Sequence, residues 1–313
     1  MNEGLASAPS KRGGAASYAL AAAVICVSSS AILTRFTDAS PISVAGWRLG
    51  IAAALLALWP SAWVGLRTVS LPDLSRSAVA SVFLAAHFGA WIASLRMLPV
   101  SVSLLVVSTH PIFVMAFRIA AGDWPSLAEA VGALAAFAGV SVMYASSHAQ
   151  TGSTFVGRPE TGFALALAGA IALAGYLLIG ANVRRRLRTS SYILLVYSLS
   201  ALALFGFLQG AGGHISAPVP HDLRVYLALA LIPTLGGHGL FAFAVGRLRT
   251  IAVSTAFLME PVVATLIAIP VLHEIPSRNA LLGGALVLVG LVMVVLGPER
   301  VSCEESVGTR NNP

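Results

Sequence analysis

Charge is scarce in this chain. Only 10% of its 313 residues are Asp, Glu, Lys or Arg, whereas 57% are hydrophobic and the mean hydropathy is +0.86. Soluble domains carry roughly a quarter charged residues, so an ordinary water-soluble globule is excluded. Cysteine is scarcer still: Cys26 lies in an apolar run and Cys303 near the polar C-terminus, so a disulfide framework is excluded. Long polar stretches are missing too. The two longest connections, Ser/Gly/Thr-rich 147–159 and Gly/Pro/His-containing 210–222, are too short for a soluble domain. Strand-like alternation is absent, which argues against an outer-membrane barrel. There is no Walker A pattern: "GAGG" at 210–213 is followed by neither the required Lys nor a helix start. No HExxH spacing, paired aspartates or nucleophile elbow is found either. No cofactor, metal site or catalytic residue is therefore expected, and ATP is not the energy source within this chain.

What fills the chain instead is a series of apolar runs of about 20 residues, each long enough to cross a hydrocarbon core of roughly 30 Å as a helix. They predict ten spans, at 15–34, 41–60, 77–97, 99–118, 126–146, 160–181, 190–209, 223–246, 250–271 and 278–297. The expected fold class is an all-α integral membrane protein. The first run follows Lys11 and Arg12 but ends at Arg35 without a small-residue cleavage site, so it reads as a retained helix.

The formal net charge of +7 is explained by where the cations sit. With the N-terminus placed inside, thirteen of the 19 Lys and Arg residues fall in inner segments, five (Arg35, Arg96, Arg158, Arg224, Arg278) in outer ones, and Arg48 inside a helix. This bias predicts a multi-pass protein of the cytoplasmic membrane with both termini cytoplasmic. The run "RRRLR" at 184–188 then reads as a topology anchor near lipid head groups, not a nucleic-acid patch. The expected partners are the bilayer and a small-molecule substrate; the sequence specifies no oligomeric state.

A fixed offset links the two halves. "HFGAWIASLRMLPVSVS" (87–103) aligns with "HGLFAFAVGRLRTIAVS" (238–254), setting His87 on His238, Arg96 on Arg247 and Ser103 on Ser254. "HP" (110–111) falls on "EP" (260–261), "DWPS" (123–126) on "EIPS" (274–277), and Gly132 and Gly139 on Gly283 and Gly290. The predicted division is an N-terminal tail 1–14, a first repeat 15–146, an outer linker 147–159, a second repeat 160–297 and a C-terminal tail 298–313. Each repeat holds five helices, an odd number, so the second enters the membrane from the opposite side. Inverted repeats of this kind recur in secondary transporters, whose substrate sites lie near the midplane between the copies.

The segments "HFGAWIASL…VS…HPIF" and "GH…EPVVATL…HEIPS…GG…LVLVG" resemble the EamA-like branch of the drug/metabolite transporter superfamily, over essentially residues 15–297. The resemblance implies a ten-helix exporter or permease with a central cavity lined mainly by helices three, four, eight and nine. The family's acidic position is Glu274 in the second copy and Asp123 in the first. His110 departs from its partner Glu260, so the halves are chemically unequal there.

Several residues are candidates for chemistry. Pro111, Pro261 and Pro233 each remove a backbone donor and should free the carbonyls of Val107, Phe257 and Leu229; such groups are tolerated in a membrane only where protein or a wet cavity satisfies them. They are hinge candidates, against the reading of static packing kinks. Glu260 is the sharpest ionisable candidate, because a midplane carboxylate must be protonated, paired or facing water; it would bind a substrate ammonium or carry a coupling proton, or else bond the kinked backbone. His110 either faces Glu260 across the two-fold axis as a proton-sensitive gate or is satisfied by Ser108, Thr109 or a loosened carbonyl. Arg48 either clamps an anionic group or fixes helix packing. His87 with Trp91, and His238 with Phe241, belong either to an aromatic-lined pathway or to the core. Gly132, Gly139, Gly283 and Gly290 read as close helix contact.

The function expected from these features is secondary transport of a small organic metabolite, such as an amino acid or related compound, by alternating access of the two repeats. The alternatives are an intramembrane enzyme using His110, His87 and Glu260, or a non-transporting receptor or scaffold.

Overall fold

The computed structural model describes residues 11–147, 158–215, 217–245, 253 and 256–296. Among these residues every regular element is a helix. The first half contains α1 (Lys11–Leu33), α2 (Pro41–Ala57), α3 (Pro60–Val64), α4 (Leu71–Leu95), α5 (Val100–Val107), α6 (His110–Ala120) and α7 (Leu127–Ser147). The second contains α8 (Pro159–Arg184), α9 (Thr189–Gly210), α10 (Pro220–Leu229), a π-helical segment (Ala230–Gly237), α11 (His238–Val245), α12 (Glu260–Leu272) and α13 (Arg278–Val295). Helix starts are written in the sequence: proline stands in the first turn of α2, α4, α8 and α10, where its missing N–H costs nothing. Ser40, Ser70 and Ser277 accept hydrogen bonds from the amides of Ser43, Asp73 and Ala280 at 3.2, 3.2 and 3.1 Å, each satisfying one orphan donor.

Eight of the described helical stretches are long and apolar enough to span a membrane, and a ninth is counted if α2 and the following Pro60–Thr68 are one span. The chain bends there by 94°, because Pro60 cannot donate to the preceding turn and Trp59 before it is extended, at φ −93° and ψ 113°. The expected second span, 41–60, therefore ends early, at Ala57. Another apolar helix, Ala256–Leu272, is shorter; residues 250–252, 254 and 255 of the span expected at 250–271 lie outside the described residues.

The two halves are tied by their glycines. A Cβ on Gly132 would meet the Gly290 carbonyl at 2.6 Å, and one on Gly283 would meet the Gly139 carbonyl, also at 2.6 Å. Only glycine lets the backbones of α7 and α13 approach so closely. The crossed pairing, 132 with 290 and 139 with 283, is what a two-fold axis requires once Gly132 matches Gly283 and Gly139 matches Gly290.

A second matched pair lies at the ends of the bundle. Asp73 and Asp222 are each the third residue of their helices, α4 and α10. Asp73 lies 3.6 Å from Arg186, just past α8, and Asp222 accepts a 2.7 Å hydrogen bond from Thr37, just past α1. Each acid thus holds the loop that follows the first helix of the other repeat, and the two contacts lie at opposite ends of the helices.

Candidate functional site

Both proline pairs interrupt the helical bonding of their spans. Val100–Ala120 is apolar enough to be one span, yet α5 stops at Val107 and α6 starts at His110, with Pro111 in its first turn. Pro111 offers no N–H to Val107, so that carbonyl is free to face a side chain. The His110 ring sits against it, while the buried His110 Nδ1 makes no well-formed hydrogen bond among the described residues. Thr109 donates its hydroxyl to the Val106 carbonyl at 2.6 Å, closing the other gap. In the second repeat, Met259 N–H bonds the Ala256 carbonyl at 3.1 Å and α12 begins afresh at Glu260, with Pro261 in its first turn. At each expected kink one or two residues in a turn interrupt the helical bonding, inside a stretch that otherwise runs on as one helix.

Pro233 acts differently. It lies inside the π-helical segment, and the Leu229 carbonyl four residues back, deprived of its usual donor, accepts the Thr234 hydroxyl at 2.7 Å. A π turn absorbs the proline by taking in an extra residue, so the helix continues.

Arg48 joins these irregular segments. It is 2% exposed on α2, and its Nε donates to Thr234 Oγ1 at 2.7 Å while Nη1 donates to Ser30 on α1 at 2.8 Å. Its guanidinium also covers the Phe88 ring, 4.4 Å from the centroid, a favourable cation–π placement. It lies within electrostatic reach of Glu260 and Tyr197, although among the described residues no carboxylate is within ion-pair distance of it. Arg48 thus links α1, α2 and the π-helical segment, and among the described residues its Nη2 has no hydrogen-bond partner.

Glu260 is half-buried. Its backbone carbonyl accepts from Ser28 at 3.1 Å, and Arg48 is the charged group that interacts with its side chain. Among the described residues no ion pair joins His110 and Glu260, and the charged partner of the Glu260 side chain is Arg48.

His87 is buried on α4, and its Nδ1 lies 2.9 Å from the Gly169 carbonyl of α8. A carbonyl only accepts, so Nδ1 carries the proton in this contact. The ring stacks parallel to Trp91, 6.1 Å between centroids at 6°, and is within electrostatic reach of His110, Arg48 and His238. Trp91 is 4% exposed, with its Nε1–H buried and unpartnered among the described residues. His238 is half-buried where the π segment gives way to α11.

Phe241 stands apart. It packs against Leu20, Val24 and Val27 of α1 in a cluster distinct from the main core, which contains Trp91 and Phe88, and it stacks on Phe257 at 3.8 Å between centroids. The structure thus gathers Arg48, Glu260, His87, His110, His238 and Trp91 and leaves Phe241 in a satellite. Ser30, Thr234, Phe88 and Tyr197 were not anticipated. Thr234 carried a signal, a hydroxyl beside a helix-interior proline; Ser30 and Phe88 are indistinguishable in sequence from ordinary core residues.

A bundle of apolar helices of bilayer length, with two of them interrupted at prolines around a polar cluster, is the build of a multi-pass membrane protein. The chain belongs to the EamA-like transporter family, whose model matches residues 14–145 and again 160–296. It is 26% identical over 279 residues to the uncharacterized transporter YwfM of Bacillus subtilis (strain 168), covering 86% of this chain and 89% of that one. A solved crystal structure of a protein shares its fold at a TM-score of 0.59, with 20% identity, 92% of this chain and 99% of that one covered.

Proposed function

We propose that the protein is a secondary transporter that moves a small organic metabolite outward through the cytoplasmic membrane by alternating access of two inverted five-helix repeats. Ten spans follow if α2 with its bent continuation, α5 with α6, and the helix ending at Leu272 each cross once. The excess of cations in the segments around Arg67, Arg118 and Arg184–Arg188 supports cytoplasmic termini. The end of the bundle that holds Arg35 and Glu274 is then the outer one.

The observation that carries this reading is the polar cluster itself. Two repeats each contribute a helix interrupted at a proline, and beside them a half-buried carboxylate and a buried guanidinium lie within electrostatic reach without pairing directly. Leaving both charges incompletely satisfied in an apolar bundle is costly, and a ligand bearing an ammonium and a carboxylate relieves that cost. Amino acids and related zwitterions fit this chemistry. Glu260 would receive the ammonium or carry a coupling proton, the uncommitted Arg48 Nη2 and the Trp91 Nε1–H would meet acceptors, and Pro111, Pro233 and Pro261 would mark the deformable points. His87, held to Gly169, would position Trp91, and His110 and His238 would border the route.

The test is export from cells with and without overexpression, at two external pH values. Metabolites whose export rises with the wild-type protein and not with Glu260→Gln support the assignment. Loss of pH dependence in Glu260→Gln or His110→Gln supports proton coupling. Purified protein in proteoliposomes that moves no metabolite of a broad panel overturns the reading.

A further inference from the structure

The 94° bend after α2 sends the chain sideways. α2 has 17 residues and at 1.5 Å per residue rises about 25 Å, most of the thickness of a hydrocarbon core. α3 and the 3₁₀ turn that follows it, Leu66–Thr68, therefore run along the membrane surface and not through it. Trp63 fastens the bend, because its Nε1 donates at 2.7 Å to the Ala57 carbonyl, the last of α2 and otherwise an orphan. Leu58, Trp59 and Leu71 are exposed, as is about half of Trp63. Tryptophans placed in this way are interfacial anchors, with an apolar body against acyl chains and a polar edge toward head groups.

Arginines gather beside them. The Gly65 N–H donates to Ser191 Oγ at 3.1 Å, and a Cβ on Gly65 would meet that oxygen at 2.7 Å, so glycine lets this loop lie against the one between α8 and α9. The start of α4 joins the same place: Arg76 and Arg186 each bring Nη1 to one Asp73 oxygen, at 3.4 and 3.6 Å. Asp73 is buried and its other oxygen accepts the Ser70 hydroxyl at 2.8 Å, whereas 49% and 65% of the two arginine side chains are exposed. One carboxylate holds two guanidiniums together and neutralises only one of them. Arg67, Arg184, Arg185 and Arg188, on the same loops, are exposed as well. In the sequence of these loops, 58–76 and 184–191, Asp73 is the only acid against six arginines.

Neither feature is a by-product of the fold. The stretch that leads into α10 in the second repeat, 207–219, contains no tryptophan, lysine or arginine, although it stands before Asp222 as 58–70 stands before Asp73. Membrane orientation asks only for positive charge near the ends of the spans; it requires neither tryptophan beside that charge nor two guanidiniums gathered on one buried acid.

We propose that this face is a docking site for an anionic phospholipid, with the phosphate on the arginines of the two loops and the acyl chains against Leu58, Trp59 and Leu71. Complementarity exists in both parts: guanidinium donors match phosphate oxygens, and the exposed apolar side chains cover hydrocarbon. A free anion would use only the first part, and a zwitterionic lipid brings a cation that the arginines repel. The inference is independent of what the protein carries.

Full-length protein in neutral detergent, titrated with phosphatidylglycerol or with phosphatidylcholine of the same acyl chains, tests this; Tm reports stabilisation and native mass spectrometry reports retained lipid. Phosphatidylglycerol should raise Tm by several degrees and be retained in preference, and salt at about 0.5 M should largely abolish the preference because the arginines are exposed to screening. Arg67→Gln/Arg185→Gln/Arg188→Gln, which leaves Asp73 both of its arginines, should weaken phosphatidylglycerol binding by about tenfold or more. An equal loss of charge elsewhere, Arg158→Gln/Arg224→Gln/Arg278→Gln, should leave the preference in place, and Trp59→Ala should weaken retention severalfold. The proposal is overturned if wild type retains both lipids equally, if the preference survives high salt, if the two triple variants behave alike, or if Trp59→Ala retains the lipid in full. Stabilisation reproduced by millimolar inorganic phosphate also overturns it, since that marks a site for free anions. The salt and phosphate measurements use wild type, so they decide the matter even where a variant does not fold.

Discussion

Arg48 Nε donates to Thr234 Oγ1 at 2.7 Å, and the same hydroxyl donates to the Leu229 carbonyl that Pro233 leaves without its usual amide, also at 2.7 Å. A threonine hydroxyl accepts and donates at once, so one side chain answers two needs. It gives a buried cation an acceptor and repairs a backbone defect, and the proline and the arginine, 185 residues apart in the chain, become a single structural unit.

Thr234→Val removes both bonds at nearly constant volume. A buried carbonyl and a buried N–H lose their partners together, a destabilisation on the order of 2–4 kcal/mol. The apparent Tm of purified protein in detergent should fall clearly, and an unchanged Tm would show that water or another group replaces the hydroxyl.

Arg48→Lys should be far from conservative. A lysine has no planar fork to reach Thr234 and Ser30 while covering Phe88, so folded yield and thermal stability should drop nearly as much as in Arg48→Met. Size-exclusion profiles of the two variants check this; full recovery by lysine would mean that charge alone matters.

Trp91→Phe retains an aromatic ring to stack on His87 and deletes a donor that is buried without a partner among the described residues. Because an unmade buried hydrogen bond costs about 1–3 kcal/mol, thermal stability should hold or improve. If Nε1–H meets substrate, the apparent transport affinity should weaken by roughly tenfold. Reduced stability with intact affinity would make Trp91 a packing residue.

Gly139→Val should prevent the α7–α13 contact, since a Cβ there would fall against the Gly283 carbonyl and within 2.8 Å of the Val287 amide. The overpacking costs about 3 kcal/mol or more. Gly206→Ala on α9 is the internal comparison: a Cβ there meets nothing within 4 Å, and a helical alanine in place of glycine adds roughly 0.5–1 kcal/mol. Monodispersity in detergent should be lost for the first and kept for the second; equal behaviour would contradict the described packing.

Much of this architecture was legible in the chain. Apolar runs of bilayer length, proline pairs recurring at fixed offset and glycines at matched positions are one-dimensional patterns, because they reflect local length and local backbone chemistry. The crossed pairing of Gly132 with Gly290 follows from the offset and a two-fold axis. The interruptions at Pro111 and Pro261 were foreseen as kinks, since sequence marks the missing donor without saying how far the helix bends.

By itself, then, the sequence determined an apolar helical protein of two related halves, and it singled out Arg48, Glu260 and the histidines because polar groups in such runs demand an explanation. Only the tertiary structure decided what satisfies them. Arg48 was open to being a clamp or a strut, and folding gave it Ser30 and Thr234 as acceptors and Phe88 beneath its guanidinium. Phe241, open to a pathway or to the core, packs in a separate cluster against α1. Glu274 and Asp123, equivalent in sequence, differ in exposure, with 18% and 50% of their side chains exposed. The physical reason is common to all three: hydrogen bonds and ion pairs act over about 3 Å between residues that can be hundreds of positions apart, and periodicity along a chain carries no record of which side chains folding brings within that distance.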